Sequence, residues 1–368
     1  ALENRRAAAA FSYRRGLSRM LQPLRIGIVG TGFGAAVHLP ALLSLPGVTV
    51  AAIAGARADK TAEIARKSGI ARACRGIEEL LAQDLDAVTL ALPASLAETA
   101  ASLALDRGLA ILAEKPLASS AEGAEMLARR AAGRTAVVDF EFAELPGFHA
   151  LRGLIASGEL GHIERIDVDW MTQSYAHRHR IWSWKTDRTR KGGVAALLGT
   201  HALFLLEWLV GPVVFAGAQE DSAATRLFAP SGGVSAADSV MWRGRTAAGA
   251  SVIVELCNSG RGSPRHRWEI VGKAGRAVLA NSTSDTVAGF QLSVAPAGKP
   301  ARALPSDPIA PGDSRLPPFR ALAERFIGAV RAGTACQPDF TAGARVQRLI
   351  ADIEALTQVG QATAREAV

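Results

Sequence analysis

The chain has 368 residues, a length that favours two domains, and 49% hydrophobic with 21% charged residues gives it a substantial core. No unbroken apolar run reaches the roughly 18 residues of a membrane span. Three widely separated cysteines, Cys74, Cys257 and Cys336, suit reduced thiols in a cytoplasmic protein rather than a disulfide framework or a zinc site. The net charge of +8 hints at an acidic partner, but six arginines against Glu3 alone place +5 of it in residues 1–25. Neither nucleic acid nor membrane is therefore an expected partner.

Residues 1–22 read as a flexible basic tail. Their arginine pairs suggest an export signal, yet the long apolar segment that such signals need is missing. "LRIGIVG" (24–30) is a short apolar run rich in β-branched residues, the pattern of a strand buried on both faces. The same character returns in "VTVAAIAG" (48–55), "DAVTLALP" (86–93), "LAILAEKP" (109–116) and "TAVVDFEF" (135–142). Helical segments lie between them, including "GAAVHLPALLSLP", "ADKTAEIARKSG", "SLAETAASLALDRG" and "SAEGAEMLARRAAG". This alternation predicts a doubly wound parallel sheet, a Rossmann domain over 23–142.

The turn after the first strand is "GTGFGA". Gly30 allows the tight turn, Gly32 lets a pyrophosphate approach the backbone, and Ala35 keeps the third position small for helix–strand packing. The following helix presents its N-terminal N–H groups to phosphate. Position after a strand and before a helix is the context that this fingerprint requires. Gly30, Thr31, Gly32, Phe33, Gly34 and Ala35 are accordingly the expected phosphate cradle. At the end of the second strand, "AGARADK" offers Gly55 and Arg57 where an acid would select NAD. Arg57 could pair with a 2′-phosphate, so NADP is expected over NAD. Leu92, Pro93, Glu114, Lys115 and Pro116, at later strand ends, complete the expected cofactor contacts.

The second half, 143–368, reads as α+β. "IERIDVDWMTQS", "GPVVFAGAQE", "SVMWRGRTAAGASVIVELCNS", "RWEIVGKAGRAVLA" and "FQLSVAPAG" are β-rich and joined by Gly-containing turns without comparable helices between the later ones. They predict a large, mainly antiparallel open sheet. "PPFRALAERFIGAVRAG" and "TAGARVQRLIADIEALTQVG" are amphipathic helices that close the chain.

"AEKPLA" (113–118), downstream of the Gly-x-Gly turn, resembles the glucose–fructose oxidoreductase / inositol dehydrogenase / rhizopine catabolism family, Gfo/Idh/MocA. The resemblance continues through "LRGLIASGELGHIERIDVDW", "GGVAALLGTHALFLLEWLVG" and "WEIVGKAGRAVL", almost the whole chain from Leu24. It implies a two-domain NAD(P)-dependent dehydrogenase acting on sugars, polyols or their derivatives. It also implies a homodimer or homotetramer formed through the second sheet. The lysine of Glu-Lys-Pro and the histidine of Asp-x-x-x-His fill the proton-handling roles in that family, and here they fall on Lys115 and His201.

The departures from the family pattern are as informative. Leu197 stands where the acid four residues before His201 is expected, and Phe204 stands three residues after it. Ala94 and Ala97 replace an asparagine and a histidine, and Asp139, Glu141 and Glu144 occupy a region where many relatives carry an arginine. Glu141 is an expected substrate contact. "QSYAHRHRIWSWKTDRTRKGG" (173–193) reads as a loop forming one wall of the pocket, with Tyr175, His177, Trp182 and Trp184 as further substrate contacts beside His201. Its alternate histidines lack a nearby carboxylate, so no metal site is expected. Two functions follow: an oxidoreductase using Lys115 and His201 as proton relay, or a non-catalytic nucleotide- and ligand-binding sensor of the same fold, since Leu197 removes the expected acid.

Overall fold

A computed structural model of the chain describes residues 22–260, 262–305 and 312–366. The basic tail expected over 1–22 therefore lies, up to residue 21, outside the described residues. Six parallel strands form the first sheet: β1 (Leu24–Val29), β2 (Val48–Ala54), β3 (Arg72–Cys74), β4 (Ala87–Leu90), β5 (Ala110–Ala113) and β6 (Ala136–Val138). Their order is β3-β2-β1-β4-β5-β6, so the strand order switches from one side of β1 to the other between β1 and β4. All four residues of β4 are buried, as a strand covered on both faces requires.

Helices α1 (Gly34–Leu43), α2 (Ala58–Lys67), α3 (Ile77–Leu81), α4 (Ala94–Asp106) and α5 (Ala121–Arg130) cover this sheet. α4 packs closely because its inner face is alanine: Ala94, Ala97, Ala100, Ala101 and Ala104 are all buried. Ala94 and Ala97, where the resemblance implied a polar pair, thus belong to this packing surface. Ser120 caps α5 by accepting from the Gly123 amide at 3.1 Å.

After α6 (Pro146–Ala156), the second sheet begins with β7 (Ile163–Met171). There follow α7 (Tyr175–His179), α8 (Thr200–Val210), β8 (Val213–Asp221), α9 (Ala223–Arg226) and β9 (Ser239–Thr246). β10 (Ser251–Cys257), β11 (Arg265–Gly272), β12 (Gly275–Asn281), β13 (Gln291–Pro296) and β14 (Arg302–Ala303) complete it in the order β14-β13-β12-β11-β7-β10-β9-β8. The pairings are antiparallel except β7 with β10, which run parallel. Trp170, Trp242 and Trp268 anchor its covered face, each at 2% exposure or less.

The helical stretch Arg188–Val210 is long and apolar enough, at a mean hydropathy of 1.7, to cross a bilayer by composition. An unbroken-run criterion passes over it. Two thirds of that window lie buried inside the protein, as in a core helix: Ala202, Leu203, Leu205 and Leu206 are sealed.

The first domain recruits a helix that the sequence assigns to the second. α10 (Leu316–Ala332) inserts Phe319, Leu322, Phe326 and Ile327 among Ile26 and Ile28 of β1 and Val37 and Leu42 of α1. Its end is pinned by Arg331, which donates to the Pro46 and Gly47 carbonyls at 2.9 and 3.0 Å. α11 (Phe340–Glu366) then lies along α5 and β8. It ties the two domains through Arg345 to Glu207 at 2.7 Å and Arg348 to Glu125 at 2.9 Å. An amphipathic pattern says that a helix has a buried face; it does not say against which sheet.

The expected strand over 135–142 stops at Val138. The Phe140 amide bonds back to the Val138 carbonyl at 2.9 Å, and Glu141–Glu144 form a 3₁₀ turn. The chain thereby folds its acidic residues over the end of the sheet, toward the cleft.

Candidate active site

The carboxyl ends of β1, β2, β4 and β5 converge on one edge, where ligands of open parallel sheets bind. Gly30 closes β1 at a φ of 119°, and a side chain there would meet the Ala91 carbonyl oxygen at 2.3 Å. Glycine is therefore a backbone requirement at this position. Gly55 serves closeness instead: an added Cβ would lie 2.5 Å from Thr31 and 2.7 Å from Thr61. Thr31, Gly32, Phe33 and Gly34 lead into the first turn of α1, which is π-helical over Gly34–His38. A Cβ at Gly32 would meet nothing within 4 Å, so the space beside that backbone is open. Arg57 stands exposed ahead of α2, on the cofactor edge beyond Gly55. An open cradle, the N-terminal turn of α1 and a cation at the end of β2 fit a nicotinamide dinucleotide. Leu92 and Pro93 lie at the neighbouring strand end, with Pro93 preceding α4.

β5 ends in Glu114, Lys115 and Pro116. The Glu114 amide continues the sheet by donating to Leu90 at 2.8 Å. Lys115 Nζ crosses to the second domain and donates to the Leu197 carbonyl at 2.9 Å. That carbonyl belongs to a π-helical turn, Ala195–Gly199, immediately before α8. Such turns insert an extra residue and often occur at functional sites. The backbone of position 197 thus engages the lysine although its side chain is apolar.

His201, in the first turn of α8, is 4% exposed. Its ring sits edge-on to Phe142 at 4.9 Å, and its Nδ1 faces Glu141 Oε2 at 3.9 Å. Burial, the charge of Lys115 and then His266 hold its pKa well below the usual histidine value. The ring is neutral near pH 7, and its Nδ1 is sealed without a hydrogen-bond partner. Burial and then the charge of Glu114 raise Glu141 to about 7, against the opposing pull of Lys115. A carboxyl poised there can give or take a proton at neutral pH.

Behind these groups lies a set only partly visible in the sequence. His38 Nε2 is 3.3 Å from Glu114 Oε1 and 3.7 Å from Asp139 Oδ2, and its ring stacks on Phe319 at 4.2 Å. Burial raises Glu114, but the His38 hydrogen bond and the charges of His38 and Lys115 outweigh it and hold the carboxyl low. Asp139 is 0% exposed, and burial with the charges of Glu141 and Glu114 pushes its pKa well above the usual range. His266 is also buried and held down at about 3. It stacks on Trp170 at 3.8 Å and accepts from Trp268 Nε1 at 2.9 Å.

The 173–193 segment is brought to the cluster in part. Lys185 comes near enough to Lys115 for their charges to interact; burial first and Lys115 second lower its pKa. Its ammonium lies 5.8 Å from the ring centre of Trp184. Trp182 and Trp184 are half-buried. Tyr175 and His177 do not join. Tyr175 is 71% exposed and rests against His179. His177 spends both ring nitrogens on Ser174 and Thr225, at 2.8 and 3.1 Å, and so holds α7 to α9. Glu144 turns away to pair with Arg325 of α10. His38 escaped the sequence reading because its neighbours in "HLPALL" are apolar; only its three-dimensional partners reveal its role.

Residues 24–142 match the model of an oxidoreductase family with an NAD-binding Rossmann fold, GFO_IDH_MocA. Residues 148–278 match the GFO/IDH/MocA C-terminal domain. An uncharacterized oxidoreductase of Synechocystis sp. is 30% identical over 341 residues, covering 89% of this chain and 92% of its own. The solved structure of a levoglucosan dehydrogenase with NADH and levoglucosan superposes with a TM-score of 0.81 at 23% identity, covering 92% of this chain and 98% of that one. A 3-ketoreductase from Actinomadura kijaniata, with NADP and TDP-benzene, gives 0.74 at 21% identity, covering 91% and 98%.

Proposed function

Because the chain belongs to the Gfo/Idh/MocA oxidoreductase family, we propose that it is an NAD(P)-dependent dehydrogenase or reductase of a sugar-like or cyclic polyol substrate. The reaction interconverts a secondary alcohol and a ketone. The observation that carries this reading is the meeting of Lys115, His201 and Glu141 from three elements at the cofactor edge of the first sheet. Relatives named for levoglucosan and inositol dehydrogenases support the substrate class.

Gly30, Gly32 and the start of α1 would hold the pyrophosphate, and Gly55 with Arg57 the adenine ribose, with NADP preferred. When bound, the nicotinamide supplies or accepts hydride. The chain's own residues then handle charge and proton. Lys115, fixed by the Leu197 carbonyl, orients and polarises the substrate oxygen. Neutral His201 accepts or returns the hydroxyl proton through Nε2. The enclosing aromatic rings of Phe142 and Trp170 keep water away from the imidazole. The uncovered side of the second sheet, where Val214 is 72% and Ile253 37% exposed, is the proposed surface for a homodimer or homotetramer.

A second reading, a ligand sensor without turnover, is favoured by one observation: the apolar side chain at Leu197. Turnover of NADP⁺ or NAD⁺ by purified protein across a panel of sugars and polyols decides between them. Reduced nicotinamide appearing with a substrate supports the oxidoreductase. Tight NADPH binding with no turnover on any panel member favours the sensor.

A further inference from the structure

Three carboxyl groups, Glu114, Asp139 and Glu141, are nearly sealed, their side chains 14%, 0% and 10% exposed; Glu114 and Asp139 share His38, and Glu141 is near enough to Asp139 for the two carboxyls to interact. The charged and titratable groups facing them are His38 from α1, Lys115 at the end of β5, Lys185, whose charge acts on Glu114, and His201 from α8. Arg315, ahead of α10, acts on Glu141 from farther away. His38 hydrogen-bonds Glu114 at 3.3 Å and stands off Asp139 at 3.7 Å, so both Asp139 oxygens are sealed and make no hydrogen bond. Carboxylates this close cannot all be ionised in a dry site. A proton resolves the conflict, because one carboxylic acid can donate to the carboxylate beside it.

The same geometry addresses the gap at Leu197. The Nδ1 of His201 is sealed and has no hydrogen-bond partner, and the polar atom facing it is Glu141 Oε2 at 3.9 Å. Such contacts are often long without ligand and tighten when substrate fills the site. We propose that Asp139 and Glu141 form a carboxyl pair holding one proton between them, and that Glu141 is the positioning residue that exchanges protons with His201 Nδ1 in place of an acid at 197. This rests on the oxidoreductase reading above. In the oxidative direction the substrate carbon gives up hydride to the nicotinamide. Its hydroxyl proton passes to His201 Nε2, and the proton on Nδ1 passes to the Glu141 carboxylate. One proton has moved inward, and reversal of these transfers serves reduction.

The rival occupant of this cluster is a cation, since His38, Glu114 and Asp139 bring donor atoms within 4.8 Å of one another. Two experiments separate the possibilities. The first needs no substrate. Infrared spectra of wild-type protein at neutral pH are expected to show the carbonyl band of a protonated carboxylic acid, shifted in D₂O and lost in the isosteric variant Asp139→Asn. Absence of the band in the wild type, its persistence in Asp139→Asn, or a stoichiometric metal by elemental analysis overturns the pair. The second uses turnover. Glu141→Gln should lower kcat by about 10²–10⁴-fold, abolish the limb of the kcat–pH profile near neutrality and leave NADPH affinity within about twofold. Glu141→Asp should restore part of the rate and the limb. A Glu141→Gln enzyme with the wild-type rate and profile refutes the exchange role. Because the infrared experiment is independent of turnover, loss of the carboxyl pair and loss of the oxidoreductase reading give different results.

Discussion

Gly32→Ala and Gly30→Ala differ by one methyl group at neighbouring turn positions, and the structure assigns them opposite consequences. At Gly32 the added Cβ meets nothing within 4 Å, and no left-handed φ stands in the way. Folding should barely register the change, within about 0.5 kcal/mol. If the space is open so that a pyrophosphate can lie against the backbone, the methyl group occupies that path. NADPH affinity should then fall at least about tenfold, equivalent to about 1.4 kcal/mol. At Gly30 the φ of 119° is strained for alanine, and the Cβ would lie 2.3 Å from the Ala91 carbonyl oxygen. Left-handed strain alone costs roughly 1–2 kcal/mol, and the collision with β4 backbone brings the total to about 3 kcal/mol or more. At about 2–4 °C per kcal/mol for a domain of 150–250 residues, the melting temperature should fall by roughly 6–12 °C. Differential scanning fluorimetry and NADPH titration of both variants provide the assay. A Gly32→Ala protein that binds NADPH like the wild type refutes the assignment of this turn to phosphate, whatever happens at Gly30.

Arg57→Ala should weaken NADPH by about ten- to a hundredfold, the worth of a charged hydrogen bond, and leave NADH nearly unchanged; equal wild-type affinities for the two cofactors contradict the role given to Arg57. Phe326→Ala should cost about 3–5 kcal/mol in denaturant unfolding, because its 0% exposed ring fills the first domain's core. A loss under about 1 kcal/mol would mean that α10 is not integral to that domain. His266, held at about 3 by burial, is kept neutral in the fold but charges near pH 6.5 once unfolded. Its contribution is fully present above about 6.5 and is lost as pH falls toward 3, on the order of 5 kcal/mol over that range. Glu141, raised to about 7, contributes in the opposite sense, losing stability as pH rises from about 4.5 toward 7, and Asp139, also raised by burial, acts in the same sense. The stability advantage of wild type over His266→Gln should therefore shrink on acidification from pH 6.5 to 4, and a difference independent of pH would contradict the neutral assignment.

The strands of the first sheet were legible because burial on both faces writes continuous apolar runs such as "LRIGIV". β3 was not, since it has three residues and two of them are exposed. The alternation in "VVDFEF" resembled a longer strand because the turn after β6 also buries Phe140 and Phe142. Lys115 and His201 could be placed by motif, and the structure brings both to one edge of the sheet. Glu141 was legible as a substrate contact and Glu114 as a cofactor contact, but their grouping with His38 and Asp139 was not, because a residue's partner across 76 positions of chain, as for His38 and Glu114, has no local signature. Tyr175 and His177 show the converse: chemistry-bearing side chains in the right loop, one turned to solvent and the other spent on Ser174 and Thr225.

The central claim is that Lys115 and His201 act as one unit on the substrate oxygen. Its most direct measurement is kcat for Lys115→Met, His201→Ala and the double variant on a substrate that the wild type turns over, with NADPH affinity followed in parallel. Each single change should lower kcat by about 10²–10⁴-fold, His201→Ala at nearly constant cofactor affinity. The double variant should be far less impaired than the product of the two losses. A His201→Ala enzyme with wild-type kcat, or losses that multiply in full, would contradict the account.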